Sequence, residues 1–271
     1  MGHSGKGWSY TSTFQDCPRR FFWREIRGYV PPQSSMSTAL LRGELSHQLI
    51  ALLLGGVKPQ KAIETVAAEL LGVQQGYEDQ LELLAKLTNL SKWYLKEFKH
   101  PLDSIREIEK RYEFLNFSTR LDLVLEVDGL VYILDHKTTE SSNHSYFFKK
   151  AKTGGQFLGC LAVYNNTHLV NKARGVIVEV VDMKKETIIE DIAAFSDLEQ
   201  SEFLNSMVET QRQINELVSK DLVPENWEKR LNQCVIGWEN CLYIPLCKSG
   251  EHPYILDHMF LNSNGGVDNG G

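Results

Sequence analysis

Apolar residues recur every three or four positions over the first hundred residues and then switch to alternation. The helical spacing covers residues 12 to about 27, about 36 to 54, 59–72 and 78–98. Cys17-Pro18 interrupts the first stretch, and Pro18 suits the first turn of a new helix. Gly55-Gly56 ends the second. Residues 105–137 alternate and are rich in Ile, Val, Leu and Tyr, which predicts strands. A helix follows around 155–168, opened by Gly154-Gly155, and two further strands over 173–190 turn near Met183-Lys184-Lys185. Ser196 and Glu199 form a capping-box pattern, and Leu198, Phe203, Met207, Ile214 and Val218 behind it keep helical spacing. Residues 223–249 are irregular and hold three cysteines. The Gly/Asn-rich stretch 262–271 predicts no fixed structure. This order, with no internal repeat, predicts an α/β chain with a small mixed sheet flanked by helices. Where the chain ends close over that sheet, N-terminal and C-terminal cysteines meet.

Composition narrows the class. A chain of 271 residues makes one large domain or two small ones, with enough length for a real core. With 42% hydrophobic and 24% charged residues it reads as globular rather than disordered. No run of 18 apolar residues occurs, so no membrane span is expected. Residues 1–5 are polar and do not read as a signal peptide, so the expected location is cytoplasmic, in a bacterium or a phage-infected host cell. A net charge of -6 argues against a protein that coats nucleic acid. It leaves room for one whose acids hold cations. Five cysteines, an odd count, point to metal binding rather than a disulfide framework. The glycines at 2–7 lack the spacing of a nucleotide-binding P-loop.

The strongest chemical signal lies in the strands. Asp128-Gly129 between alternating apolar runs is a two-residue hairpin signal. That turn sets a register in which Val127 faces Leu130, Glu126 faces Val131, Val124 faces Ile133 and Asp122 faces Asp135. Opposed residues stand roughly 5 Å apart on one face, and Lys137 projects from the same face as Asp135. Two opposed carboxylates repel unless something compensates. A divalent cation does so, and so would Arg120 or Lys137 on a partly exposed hairpin.

Asp122, followed by Asp135-His136-Lys137 on the next strand, resembles the core of the PD-(D/E)XK nucleases. The resemblance implies that Asp122 and Asp135, with the His136 backbone carbonyl, hold Mg²⁺ or Mn²⁺, and that Lys137 serves the attacking water or the transition state. The segment from Arg42 to Ile50 resembles the Gly-x-x-x-His helix of the RecB-like branch, which implies His47 as a metal ligand. Its inward face, with Gly43 one turn earlier leaving room, also suits a core histidine. The segment from Gly154 to Cys160 resembles the Gln-x-x-x-Tyr motif. Gln156 matches, Cys160 stands at the tyrosine position, and Tyr164 lies one turn further on. Lys149, Lys150 and Lys152, beside Phe147 and Phe148, suit a strand of nucleic acid, as Tyr164 does, or else form a solvated loop.

Cys17 together with Cys234, Cys241 and Cys247 resembles the iron–sulfur staple of AddB-type and CRISPR-associated RecB-like exonucleases. That implies a 4Fe-4S cluster joining the N- and C-terminal regions, with a Zn²⁺ site or buried free cysteines as the other readings. Cys160 reads as a core residue. The resemblance spans 9–250 as one nuclease domain with its cysteine site, leaving 251–271 as a mostly disordered tail. It implies a DNA nuclease, as an exonuclease in recombination, repair or phage DNA processing. Its DNA would carry single-stranded ends, and a helicase or recombination protein would be the partner. The alternatives are an inactive nuclease-like DNA-binding module and a zinc-stabilised protein-interaction domain.

Overall fold

The computed structural model describes residues 7–30, 38–72, 77–220, 222–236 and 239–262. In chain order the elements are α1 (Trp8–Asp16), α2 (Pro18–Phe21), a π-helical turn (Phe22–Ile26), β1 (Tyr29–Val30), α3 (Thr38–Leu54), α4 (Pro59–Leu71) and α5 (Tyr77–Glu97). Three strands follow, β2 (Ile105–Phe114), β3 (Phe117–Val127) and β4 (Leu130–Thr139), then α6 (Ser145–Thr153) and α7 (Gly155–Thr167). Next come β5 (Ala173–Asp182), β6 (Thr187–Ala193) and α8 (Asp197–Val218). The chain closes on β7 (Val235–Ile236), β8 (Glu239–Asn240), α9 (Ile244–Ser249), α10 (Pro253–Met259) and β9 (Leu261–Asn262). Two units emerge, residues 37–204 and residues 1–36 with 205–271.

The larger unit holds a five-stranded sheet in the order β2-β3-β4-β5-β6. Its pairs are antiparallel except for β4 and β5, which run parallel through the α6–α7 crossover. The sheet is therefore mixed, as expected. Leu41, Leu45 and Leu49 of α3 and Leu83, Leu87 and Leu90 of α5 recur at helical spacing. They bury against Leu123, Leu125, Leu134 and Ile177, so α3, α4 and α5 cover one face. Helix α7 covers the other. There Gly159 brings the helix close, since a Cβ would stand 2.9 Å from the Phe203 ring and 3.3 Å from that of Phe117.

The β3–β4 turn follows the sequence expectation. Asp128 and Gly129 have φ of 51° and 74°, and the register pairs Val127 with Leu130, Glu126 with Val131 and Val124 with Ile133. The β2–β3 turn is also two residues long, but Leu115 and Asn116 occupy the left-handed region, with φ of 48° and 61°. A leucine there is unusual and carries no turn signature.

The β2–β3 ribbon changes the face it shows. Ile108 and its partner Leu123 pack in the cluster under α3–α5. Tyr112 meets Tyr164 of α7, and its partner Thr119 meets Cys160 of α7. Simple alternation would keep 108 and 112 on one face. Between them Glu109 adopts φ 52°, and this left-handed residue turns the strand over. Glu109 lies between the pairs Ile108↔Leu123 and Lys110↔Leu121, hence opposite Asp122.

Where the lysine-rich segment suggested a loop, the chain forms α6. Phe147, Phe148 and Ala151 fall on its inner side at helical spacing while Lys149 and Lys150 face out. Gly154 then separates α6 from α7. A Cβ there would lie 2.6 Å from the Lys150 carbonyl oxygen, so only glycine permits so tight a junction.

In the second unit Phe14, Phe21, Phe22, Trp23, Trp227 and Tyr243 build an aromatic core, and Cys241 and Cys247 pack against it. The unit draws on both ends of the chain. Tyr29 pairs with Asn262 and Val30 with Leu261, the Arg19 Nε–H donates to the Trp227 carbonyl at 2.8 Å, and the Tyr243 hydroxyl donates to the Tyr29 carbonyl at 3.0 Å. Pro18 opens α2 with Cys17 as its N-cap. The expected tail is ordered in part, because α10 and β9 lie within it; residues 263–271 lie outside the described residues.

Candidate active site

The β3–β4 ladder ends at Leu123↔Leu134. One step further, a side chain takes the place of a backbone acceptor: the His136 N–H donates to Asp122 Oδ2 at 2.9 Å. A strand amide must find an acceptor, so this bond fixes the Asp122 carboxylate. The same oxygen lies 3.1 Å from His47 Nδ1 of α3. The expected opposition of Asp122 and Asp135 thus takes the form of two neighbouring acids beyond the ladder's end. Asp135 is 7% exposed. Its Oδ2 meets the Lys137 ammonium, and its Oδ1 accepts from Gln156 Nε2 at 3.3 Å. The Lys137 ammonium also lies 5.3 Å from the centre of the Phe157 ring.

Glu109 completes the group. One ligand atom each from His47, Glu109 and Asp122 lie within 4.8 Å of one another, and Arg120 Nε holds Glu109 Oε2 at 2.9 Å. Glu109 was not legible as a site residue. Its only sequence signal is its place opposite Asp122, and that needs the β2–β3 register that the Leu115-Asn116 turn conceals.

The charges are strongly coupled. Burial pushes the Asp122 carboxyl up, but His47, His136 and Lys137 outweigh it and hold Asp122 below the usual carboxylate range. Burial raises Asp135, Lys137 opposes the rise, and the Asp122 charge adds to it, leaving Asp135 above its ordinary value. Burial also lifts Glu109, with Asp122 reinforcing the shift. Burial alone would lower His47 and Lys137, but the acids beside them win, and both sit above their ordinary values. The carboxylates of Glu109 and Asp122 and the His47 imidazole, with the buried Asp135 carboxylate on the next strand, make a donor set of the kind that hard divalent cations accept. The residues fit Mg²⁺ or Mn²⁺.

The other expected site residues divide. Lys149 and Lys150 are exposed on α6, and Lys150 lies over the exposed Tyr146 ring at 5.9 Å. Lys152 pairs with Asp191. Tyr164 is 5% exposed, and its ring stacks on His168 at 4.2 Å. Cys160, at the tyrosine position, is buried with Sγ 3.1 Å from Thr119 Oγ1. Burial pushes its thiol up to about 12, so it is an inert core residue.

Cys17, Cys234, Cys241 and Cys247 all belong to the second unit. Burial raises the Cys241 thiol, and Cys17 and Cys234 act on it in the same direction. Cys247 is likewise raised by burial and by Cys17, against Trp23, Arg19 and Lys229. Among the described residues no three of their sulfur atoms come within 4.8 Å of one another. Among the described residues no helix is long and apolar enough to cross a membrane.

No curated protein matches the chain. Among solved structures it is similar to a candidate exonuclease from Eubacterium rectale, at 11% identity and a TM-score of 0.48, over 85% of this chain and 86% of that one. The family model of the PD-(D/E)XK nuclease superfamily matches residues 8–248. That span takes in His47, Glu109, Asp122, Asp135, Lys137 and Gln156, and by this match the chain belongs to the PD-(D/E)XK nuclease superfamily.

Proposed function

We propose that the chain hydrolyses phosphodiester bonds in DNA with Mg²⁺ or Mn²⁺, as an exonuclease in recombination, repair or phage DNA processing. The observation that supports this most is the convergence of His47, Glu109, Asp122, Asp135, Lys137 and Gln156 at the end of the β3–β4 ladder. His47, Glu109, Asp122 and Asp135, with the His136 carbonyl, would hold the metal. Once bound, the ion activates water and steadies charge on the scissile phosphate. The protein's own groups set the stage for that chemistry. The His136 amide orients Asp122 and Gln156 orients Asp135. Lys137 is held charged between the acids, ready to donate to a phosphoryl oxygen or to the attacking water. Lys149 and Lys150 would track the backbone of a single-stranded end.

The test is cleavage of end-labelled single- and double-stranded DNA with manganese. Asp135→Ala and Lys137→Ala should each abolish cleavage in a folded protein. Parental rates in both variants would remove the assignment. Metal-dependent binding of DNA without any cleavage by the parent would favour an inactive DNA-binding module.

We also propose a 4Fe-4S cluster on Cys17, Cys234, Cys241 and Cys247. Their shared unit supports it, as does the Cys241 N–H that donates to the Cys234 carbonyl at 2.8 Å. Zinc at the same residues is the chemical rival.

A further inference from the structure

Strand β5 is almost wholly buried, and its interior reads Val176, Ile177, Val178, Glu179, Val180, Val181. One carboxylate thus sits inside an apolar run, at 0% exposure. Burying an acid costs stability unless partners compensate, and apolar residues commonly replace a buried ion pair without loss. Glu179 Oε1 accepts from the Tyr94 hydroxyl of α5 at 2.9 Å and lies 2.8 Å from His136 Nδ1. Tyr94 is 0% and His136 2% exposed, while Glu179 Oε2 has no hydrogen-bond partner among the described residues. This is a costly arrangement for a core that leucine could fill.

Its location supplies the reason. His136 stands between Asp135 and Lys137, and its own amide holds Asp122. Its ring meets that of His47 edge-on, 5.9 Å between centres. The imidazole is therefore held by Glu179, its partner on the neighbouring strand β5, while the backbone amide of the same residue holds Asp122. We propose that Glu179 is a positioning residue: by clamping the His136 imidazole, with Tyr94 as its second anchor, it sets the His136 backbone and the His47 ring, and so the geometry in which Asp122 and its neighbours take up a divalent cation. The inference rests on the metal-dependent nuclease reading above.

The experiment compares Glu179→Leu, Glu179→Gln and the double variant Glu179→Leu/His136→Leu with the parent. Two quantities are read, the manganese concentration for half-maximal cleavage and that for half of the manganese-induced rise in Tm. Supporting partners of metal ligands typically carry about 10- to 100-fold in metal affinity or activity. Glu179→Leu should therefore need about tenfold or more manganese in both assays, with its metal-free Tm unchanged or raised. Glu179→Gln, which keeps an acceptor for Tyr94 and His136, should stay near the parent. If Glu179→Leu does not fold, the double variant carries the test, since it replaces the pair with an apolar one and leaves the His136 backbone in place. Parental manganese dependence in a folded Leu variant would overturn the proposal. So would failure of both Leu variants to fold, because the carboxylate would then serve the fold. A parent that shows the Tm rise but no cleavage removes the nuclease reading and leaves this test readable from the Tm data alone. A parent with neither response removes both.

Discussion

His47 and Asp122 are linked in a way that pH can expose. His47 is held above its ordinary value of 6.5, chiefly by Asp122 acting against burial. A folded pKa above the unfolded one contributes stability that is complete below the unfolded value and disappears as pH rises through the folded value. Asp122 is depressed, so its contribution is present above its ordinary 3.8 and is lost as pH falls through the folded value. The pair thus stabilises the metal-free protein on the acid side of neutrality. Metal-free Tm should fall between about pH 6 and about pH 8 in the parent, and fall less in His47→Gln. Manganese must displace the His47 proton, so its stabilising effect should grow over the same interval. Melting curves at the two pH values check both statements, and equal slopes for parent and variant would contradict them. At this scale the sequence was partly readable. Asp122, Asp135 and Lys137 stand out because one Asp-Gly turn fixes their spacing. Glu179 carried a signal that went unused, a single acid within an unbroken apolar strand. Glu109 carried almost none.

Elements show where pattern reading holds and where it fails. The β3–β4 register was legible because Asp128-Gly129 favours the left-handed conformations that such a turn needs. The β2–β3 turn uses Leu115-Asn116, and its strands change face at Glu109, so a search for strict alternation cannot follow them. Helix α6 is hard to read from the sequence because its lysines mask Phe147, Phe148 and Ala151. The glycines can be separated by experiment. Gly43 in α3 was expected to make room for His47, yet a Cβ there would meet only Thr138 Oγ1 at 4.0 Å, an ordinary contact. Gly43→Ala should therefore be neutral or stabilising by up to about 1 kcal/mol, from helix propensity. Gly154→Ala forces a Cβ to within 2.6 Å of the Lys150 carbonyl oxygen and should cost about 1–3 kcal/mol. Because Gln156 sits two residues on, it should lower cleavage as well. Urea titrations of the two variants give the comparison; equal costs would mean that the α6–α7 junction yields freely.

At the scale of the molecule, the α/β sheet and its flanking helices were legible from the order of periods along the chain, while the division into two units was not. No local pattern reports that residues 1–36 and 205–271 share a core; only Cys17, matched with three late cysteines, hinted at it. Protein purified without oxygen should be brown with the broad visible absorbance of iron–sulfur charge transfer. Cys17→Ser should bleach it and expose both chain ends to protease. Colourless protein with one zinc would instead establish the Cys₄ zinc site. The pairing of Tyr29 and Val30 with Asn262 and Leu261 also orders events during synthesis. Residues 37–204 can collapse as soon as they leave the ribosome, whereas the first segment must wait, with Phe14, Phe21, Phe22 and Trp23 uncovered, until Trp227, Tyr243 and Phe260 have been made. Nascent chains halted before that point should bind holdase chaperones through these aromatics. Any metal delivered to the four cysteines must arrive after translation has passed Cys247.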